Sequence, residues 1–198
     1  VAFLTAYQNA AYAARYRHLV ARVQTREAAV MPGQSALSEA VARNLSQVPW
    51  PYGPDDAVWF ASQTRDPRFP ELLITRPDCA TGPQVLGCIG LLAPRDAGCD
   101  AELGYWLAER HWGHGYASEA GRAMLAMAQA IGHRRIGAHH FLDNPASGRV
   151  LTRLGFHPTG PARLPCRARG GEVAATALAL DLSAPGHGDD GGDLRRAA

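Results

Sequence analysis

The sequence predicts an α/β domain built on a mixed sheet, and three observations carry that expectation. In residues 101–107, Leu103, Tyr105 and Leu107 alternate with Glu102, Gly104 and Trp106, the pattern of a half-buried strand. A glycine-punctuated turn, WGHGYA at 112–117, then leads into Ala120, Met124, Met127 and Ile131 at helical spacing, with Gly132 as a stop. Residues 135–142 read as a strand after that helix, which completes a strand–helix–strand crossover with the two strands parallel.

The other elements fall around this unit. Residues 1–30 read as a helix, with Phe3, Leu4, Tyr7, Ala10, Ala11 and Ala14 on one broad face, broken by Met31-Pro32-Gly33. Ser35 is placed to cap a second helix on which Leu37, Val41 and Leu45 line up. Pro49-Trp50-Pro51-Tyr52 is a stiff aromatic connection, and Asp55 starts a helix through Val58, Trp59 and Phe60. Residues 71–75 and 84–92 read as strands on either side of a polar turn, and Gly87 and Gly90 predict a bend or a close backbone approach. Asn144, Pro145 and Gly155 mark a complete helix, Phe156 begins a strand, and 173–182 alternates enough to be the last one. From residue 184 the chain turns to Gly, Asp, Pro and Arg, the composition of a disordered tail.

At 198 residues the chain is one domain or one domain with an appendage. A net charge of +2 is too small to argue for nucleic acid or an anionic membrane, and every one of the 20 basic residues is Arg. No apolar run approaches the ~20 residues of a membrane span, and no signal-peptide pattern opens the sequence, so the expected compartment is the cytoplasm. Cys79, Cys88, Cys99 and Cys166 form no C-x-x-C pair and are expected as free thiols. His139-His140 alternate across a strand, so only one of them faces any cleft, and no metal site is expected.

Strand, glycine turn and helix in that order make an anion site. Glycines let the backbone approach a phosphate, and the N–H groups of the helix's first turn point at it. The loop at Trp112, Gly113, His114, Gly115, Tyr116, Ala117 and Ser118, read together with N-P-A-S…V-L-T-R-L-G-F from Asn144 to Phe156, strongly resembles the GNAT N-acetyltransferase superfamily, especially its RimJ/RimL-like branch. That resemblance implies the acyl-CoA N-acyltransferase fold over residues 46–183, acetyl-CoA as cosubstrate, a primary amine as acceptor and direct transfer between them. It implies that Leu107 and Ala108 lie against the pantetheine arm, that Asn144 helps to hold coenzyme A and that Trp50 and Tyr52 border the acceptor; the alternative for these two aromatics is packing beneath a loop. Trp112 stands where the superfamily usually has Gln or Arg, a departure that costs one side-chain contact. The usual first strand is not legible. Instead, residues 1–45 resemble the C-terminal part of indolepyruvate:ferredoxin oxidoreductases, which makes this segment one of atypical origin.

Transfer of an acetyl group to an amine needs a base for the amine and an acid for the departing thiolate. Glu102, on the cofactor strand, is the best base by type and place; the structural alternative is a carboxylate that faces solvent or pairs with an Arg. Ser147 matches the family's proposed proton donor, with Tyr105 and Tyr116 as alternatives by residue type, while Asn144 doubles as a helix cap. A homodimer is compatible with the sequence. Two other functions remain open: a catalytically impaired module that binds coenzyme A or a protein partner, and a fragment of an oxidoreductase-like protein.

Overall fold

The computed structural model describes residues 37–62, 66–76 and 84–183. The expected helix over 1–30, the Ser35 cap, most of the 1–45 segment expected to resemble an oxidoreductase, the turn between the first two strands, Cys79 and the expected tail lie outside the described residues. In chain order the elements are α1 (Glu39–Ala42), α2 (Pro54–Ser62), β1 (Glu71–Arg76), β2 (Gln84–Leu92), β3 (Ala101–Leu107), α3 (Tyr116–Ala130), β4 (Arg135–Phe141), α4 (Pro145–Arg153), β5 (His157–Cys166) and β6 (Gly171–Asp181). The six strands form one mixed sheet in the order β1-β2-β3-β4-β6-β5, in which β3 and β4 are parallel and the other neighbours antiparallel.

The alternation of β3 sends Leu103, Tyr105 and Leu107 to the face covered by α3 and α4, where they join Ala120, Met124, Leu151 and Phe156 in the main core. The opposite face carries a smaller cluster of Phe141, Leu164, Cys166 and Ala175. Residues 43–47 fasten there: the Cys166 thiol lies 3.4 Å from the Leu45 carbonyl, and the Arg169 and Arg167 guanidinium groups donate to Arg43 and Gln47 carbonyls. With both faces covered, Ala101, Glu102 and Leu103 are all buried, so the start of β3 is more deeply enclosed than its alternating pattern suggests.

α1 is shorter than its periodicity predicts and starts after Ser38. Asn44 ends it, because its side-chain amide donates to the Ala40 carbonyl at 2.8 Å. In a continuing helix that carbonyl would accept from the residue 44 backbone N–H, which bonds to Val41 instead. Leu45 therefore leaves the helical face. At the end of α3, Gly132 adopts φ +99°, and His133 N–H reaches back to the Ala128 carbonyl to close the last turn.

Gly87 shows the predicted close approach. A Cβ there would meet the Trp106 carbonyl oxygen at 2.1 Å, and the β1–β2 register slips between Ile74 and Thr75 opposite it. Gly104 contrasts with it, since its added Cβ would touch only the end of Leu92 at 3.2 Å. Gly87→Ala should destabilise the fold by about 3 kcal/mol or more, and Gly104→Ala by less than about 1 kcal/mol. Urea unfolding of the two variants checks this ranking.

Candidate active site

The parallel pair at the centre of the sheet is paired only at its base. Ala101 faces Ile136 and Glu102 faces Gly137; past these two positions β3 and β4 part. The closed end is pegged by Asp100, whose Oδ2 accepts from the Arg134 and Arg135 N–H groups at 2.6 and 2.9 Å. Those backbone donors hold its carboxyl below the usual carboxylate range. On its other side β3 stays paired with β2, and the Ala108 N–H continues that ladder by donating to the Leu86 carbonyl at 2.8 Å. Alternation then turns the N–H and C=O groups of Tyr105 and Leu107 toward the parted side. Ala108 is buried and its N–H is taken, so of the two residues expected against the cofactor arm Leu107 alone presents its backbone to the gap.

The glycine turn lies at the open end of β3. Gly113 (φ +77°) and Gly115 (φ +82°) take left-handed backbone conformations, and Gly115 directly precedes the 15-residue α3. Trp112 braces this turn: its indole N–H donates to the Leu107 carbonyl at 2.8 Å. The departure from a polar residue thus closes the corner between strand and loop. His114 Nδ1 lies 2.7 Å from the Trp112 carbonyl and its ring stacks on Tyr116, while the buried His111 meets Tyr116 edge-on. Residues 112–115 are exposed, whereas Ala117 and Ser118 are buried, so it is backbone that the loop offers to a ligand.

Two side-chain clusters flank the gap on opposite faces of the sheet. On the helical face the Tyr105 and Ser147 hydroxyls are 2.8 Å apart. Burial pushes the Tyr105 phenol up to about 12, against a smaller lowering by its bond to Ser147. Asn144 caps α4 by accepting from the Ser147 N–H at 3.1 Å, with Pro145 at the first helical position.

On the other face lies Glu102, buried with 8% of its side chain exposed. It does not face solvent. Its Oε2 is 3.6 Å from the Arg95 Nε, and its Oε1 is 3.3 Å from His139 Nδ1. His139 Nε2 in turn is 3.2 Å from the Asp96 carboxylate. The two carboxylates approach opposite nitrogens of one ring, so the three groups share no common point for an ion. His140 turns the other way, toward Gly148 of α4, beside a groove of about 470 Å³ that Arg149 and Thr152 also line.

Asp96 and Arg95 are the residues that sequence reasoning did not single out; they reach the site from the turn that precedes β3 and belong to no motif. The alternation rule separates His139 from His140 without saying which one meets Glu102. Trp50 is exposed and Tyr52 half-buried beside Asp56. Among the described residues no hydrogen bond or ring contact joins either one to Glu102, Tyr105 or Ser147.

The Acetyltransferase (GNAT) domain family matches residues 10–157, a span that takes in residues 10–45 of the segment expected to resemble an oxidoreductase. An uncharacterized N-acetyltransferase of Bacillus subtilis (strain 168), YoaA, is 38% identical over 81 residues, covering 40% of this chain and 46% of that protein. The ribosomal-protein-serine acetyltransferase of Escherichia coli (strain K12) is 44% identical over 57 residues, 28% of this chain and 32% of that one. The chain therefore spans less than half the length of these curated relatives. In fold it is similar to the Microcin C7 self immunity acetyltransferase MccE, solved in complex with acetyl-CoA and AMP. The TM-score is 0.57 at 16% identity, covering 84% of this chain and 87% of that one.

The buried phenol yields a test that needs no ligand. Unfolded, Tyr105 ionises near 10, whereas folded it keeps its proton to about 12. Its contribution to stability is therefore complete below pH 10 and is lost as pH rises toward 12. Denaturant unfolding should show a loss of about 2–3 kcal/mol across this window at 1.36 kcal/mol per unit, and Tyr105→Phe should flatten it. An equal slope in the variant would show that other groups set the alkaline limit.

Proposed function

The chain belongs to the GNAT acetyltransferase family, and from that premise we propose that it is an acetyl-CoA-dependent N-acetyltransferase of the RimJ/RimL-like kind, acting on a primary amine by direct transfer. The observation that carries this reading is the parting of β3 from β4 immediately above the buried Glu102, beside a two-glycine turn at the start of α3. An extended edge with backbone groups on offer suits an amide-bearing arm, and the N-terminus of a long helix behind two left-handed glycines suits a pyrophosphate. The residues present therefore fit the cofactor.

Acetyl-CoA supplies the activated thioester. Gly113, Gly115 and the first N–H groups of α3 hold its phosphates, and the backbone of Tyr105 and Leu107 orients the arm within the gap. Glu102 accepts a proton from the acceptor's ammonium, which frees the lone pair of the neutral amine for attack; the Arg95 guanidinium lies 3.6 Å from the same carboxylate. Ser147 and Tyr105 serve the departing sulfur as one hydrogen-bonded unit. A phenol held near 12 is too weak an acid to give its proton outright to a thiolate whose own value is ~8.5. Tyr105 therefore stays neutral and donates to the Ser147 oxygen, which leaves the Ser147 O–H to meet the sulfur.

The acceptor is a primary amine, either a protein N-terminal α-amine or a small molecule. The local identity to a ribosomal-protein-serine acetyltransferase supports the former, as does basicity, since an α-amine with a pKa of ~8 is more readily deprotonated than a lysine at ~10.4.

Calorimetry with acetyl-CoA, paired with thiol release over a panel of N-terminal peptides and polyamines, tests this reading. Gly115→Asp should abolish acetyl-CoA binding by setting a carboxylate against the pyrophosphate. Glu102→Gln should keep the affinity and lower turnover ~10²-fold. Wild-type affinity in the first variant, or wild-type turnover in the second, would overturn the assignment of that residue.

A further inference from the structure

Glu102 as base leaves a problem that the structure itself answers. A carboxylate with 8% of its side chain exposed cannot hand its captured proton straight to water, yet it must lose that proton before the next turnover. His139 lies between Glu102 and the outside. Its own side chain is only 4% exposed, while Asp96, on its far nitrogen, is 42% exposed. Both His139 Nδ1 and Glu102 Oε2 are buried without a hydrogen bond of good geometry. Such groups are costly unless something uses them. The 3.3 Å approach of Nδ1 to Oε1 is thus a contact awaiting a proton.

We propose that Glu102, His139 and Asp96 form a proton exit, in which His139 is a positioning and relay residue for the base. The inference rests on Glu102 acting as the base. Glu102 takes one proton from the ammonium. The proton then passes from Glu102 Oε1 to His139 Nδ1, forming that N–H bond, and the Nε2–H bond breaks toward Asp96, which releases the proton to water. Glu102 and Asp96 end as they began, and one proton has moved from amine to solvent. His139 is left with its proton on Nδ1 and returns to the starting tautomer by reorientation of its ring and exchange with water before the next turnover. The groups facing the ring are Glu102 from β3 and Arg95 and Asp96 from the turn before it, while β6 contributes the non-titrating Ala177. Arg95 Nη1 donates to the Ser46 hydroxyl at 3.3 Å, which helps to fix the guanidinium beside Glu102.

The test uses the full chain with acetyl-CoA and the best amine of the panel, in dilute buffer across a range of pH. His139→Ala should lower kcat about tenfold, leave the KM for acetyl-CoA unchanged, and regain most of the rate when free imidazole is added. Asp96→Asn, on an exposed turn that does not endanger folding, should lower kcat in the same direction by less. A His139→Ala enzyme with wild-type kcat, or one whose loss is untouched by imidazole, would overturn the relay. Should His139→Ala fail to fold, a wild-type kcat and pH profile in Asp96→Asn would overturn it alone. The two readings separate cleanly. Loss of activity in Glu102→Gln with full activity in both relay variants removes the exit and keeps the base. Full activity in Glu102→Gln removes both.

Discussion

The rest of the site depends on one constraint, that two parallel strands are held together at one end and prevented from closing at the other. Asp100 binds the backbone of residues 134 and 135, and the pairs Ala101–Ile136 and Glu102–Gly137 extend the hold for two residues. Beyond them, β3 follows β2 through a full antiparallel ladder, and β4 follows β6. Each strand is already committed to a partner on its outer side. The gap is therefore a property of the whole sheet, because those outer ladders set the course of each strand above the paired base.

A parted pair of strands exposes polar backbone inside a sheet, and the fold meets that cost in a specific way. Trp112 takes the Leu107 carbonyl, the outermost acceptor on the gap side, and in doing so fixes where the glycine turn begins. On the helical face the bond between the Tyr105 and Ser147 hydroxyls ties β3 to α4 across the opening. On the other face Glu102, the last paired residue of β3, faces His139, which lies two residues beyond its partner Gly137. One side of the gap carries neutral hydroxyls and the other carries charge. That is the asymmetry expected where a thiolate departs on one side and an ammonium loses its proton on the other.

Much of this was legible in the residues. The strand–glycine turn–helix signal located β3, the loop and α3 to within a residue or two, because a period of two, then two glycines, then a period near four is hard to satisfy otherwise. Asn144-Pro145 announced its cap, and Gly87 its close approach. The family resemblance marked Ser147, and residue type and place marked Glu102 and Tyr105, but neither carried information on which atoms meet. Three things stayed hidden. Leu45 left its helix because of a side-chain bond from Asn44, a local competition that periodicity ignores. Ala108 spends its N–H on β2, which depends on ladder parity. Arg95 and Asp96 reach Glu102 and His139 from a connecting turn, and no spacing rule links residues brought together only by the sheet.

The central claim is that the parted edge of β3 receives the cofactor arm. Hydrogen–deuterium exchange at single-residue resolution, with and without saturating acetyl-CoA, tests it directly. Slowed exchange is expected at the Tyr105 and Leu107 amides and at Gly113 to Ala117, with Ala108 already slow and unchanged. Protection confined to the loop, with Tyr105 and Leu107 exchanging as before, would contradict it.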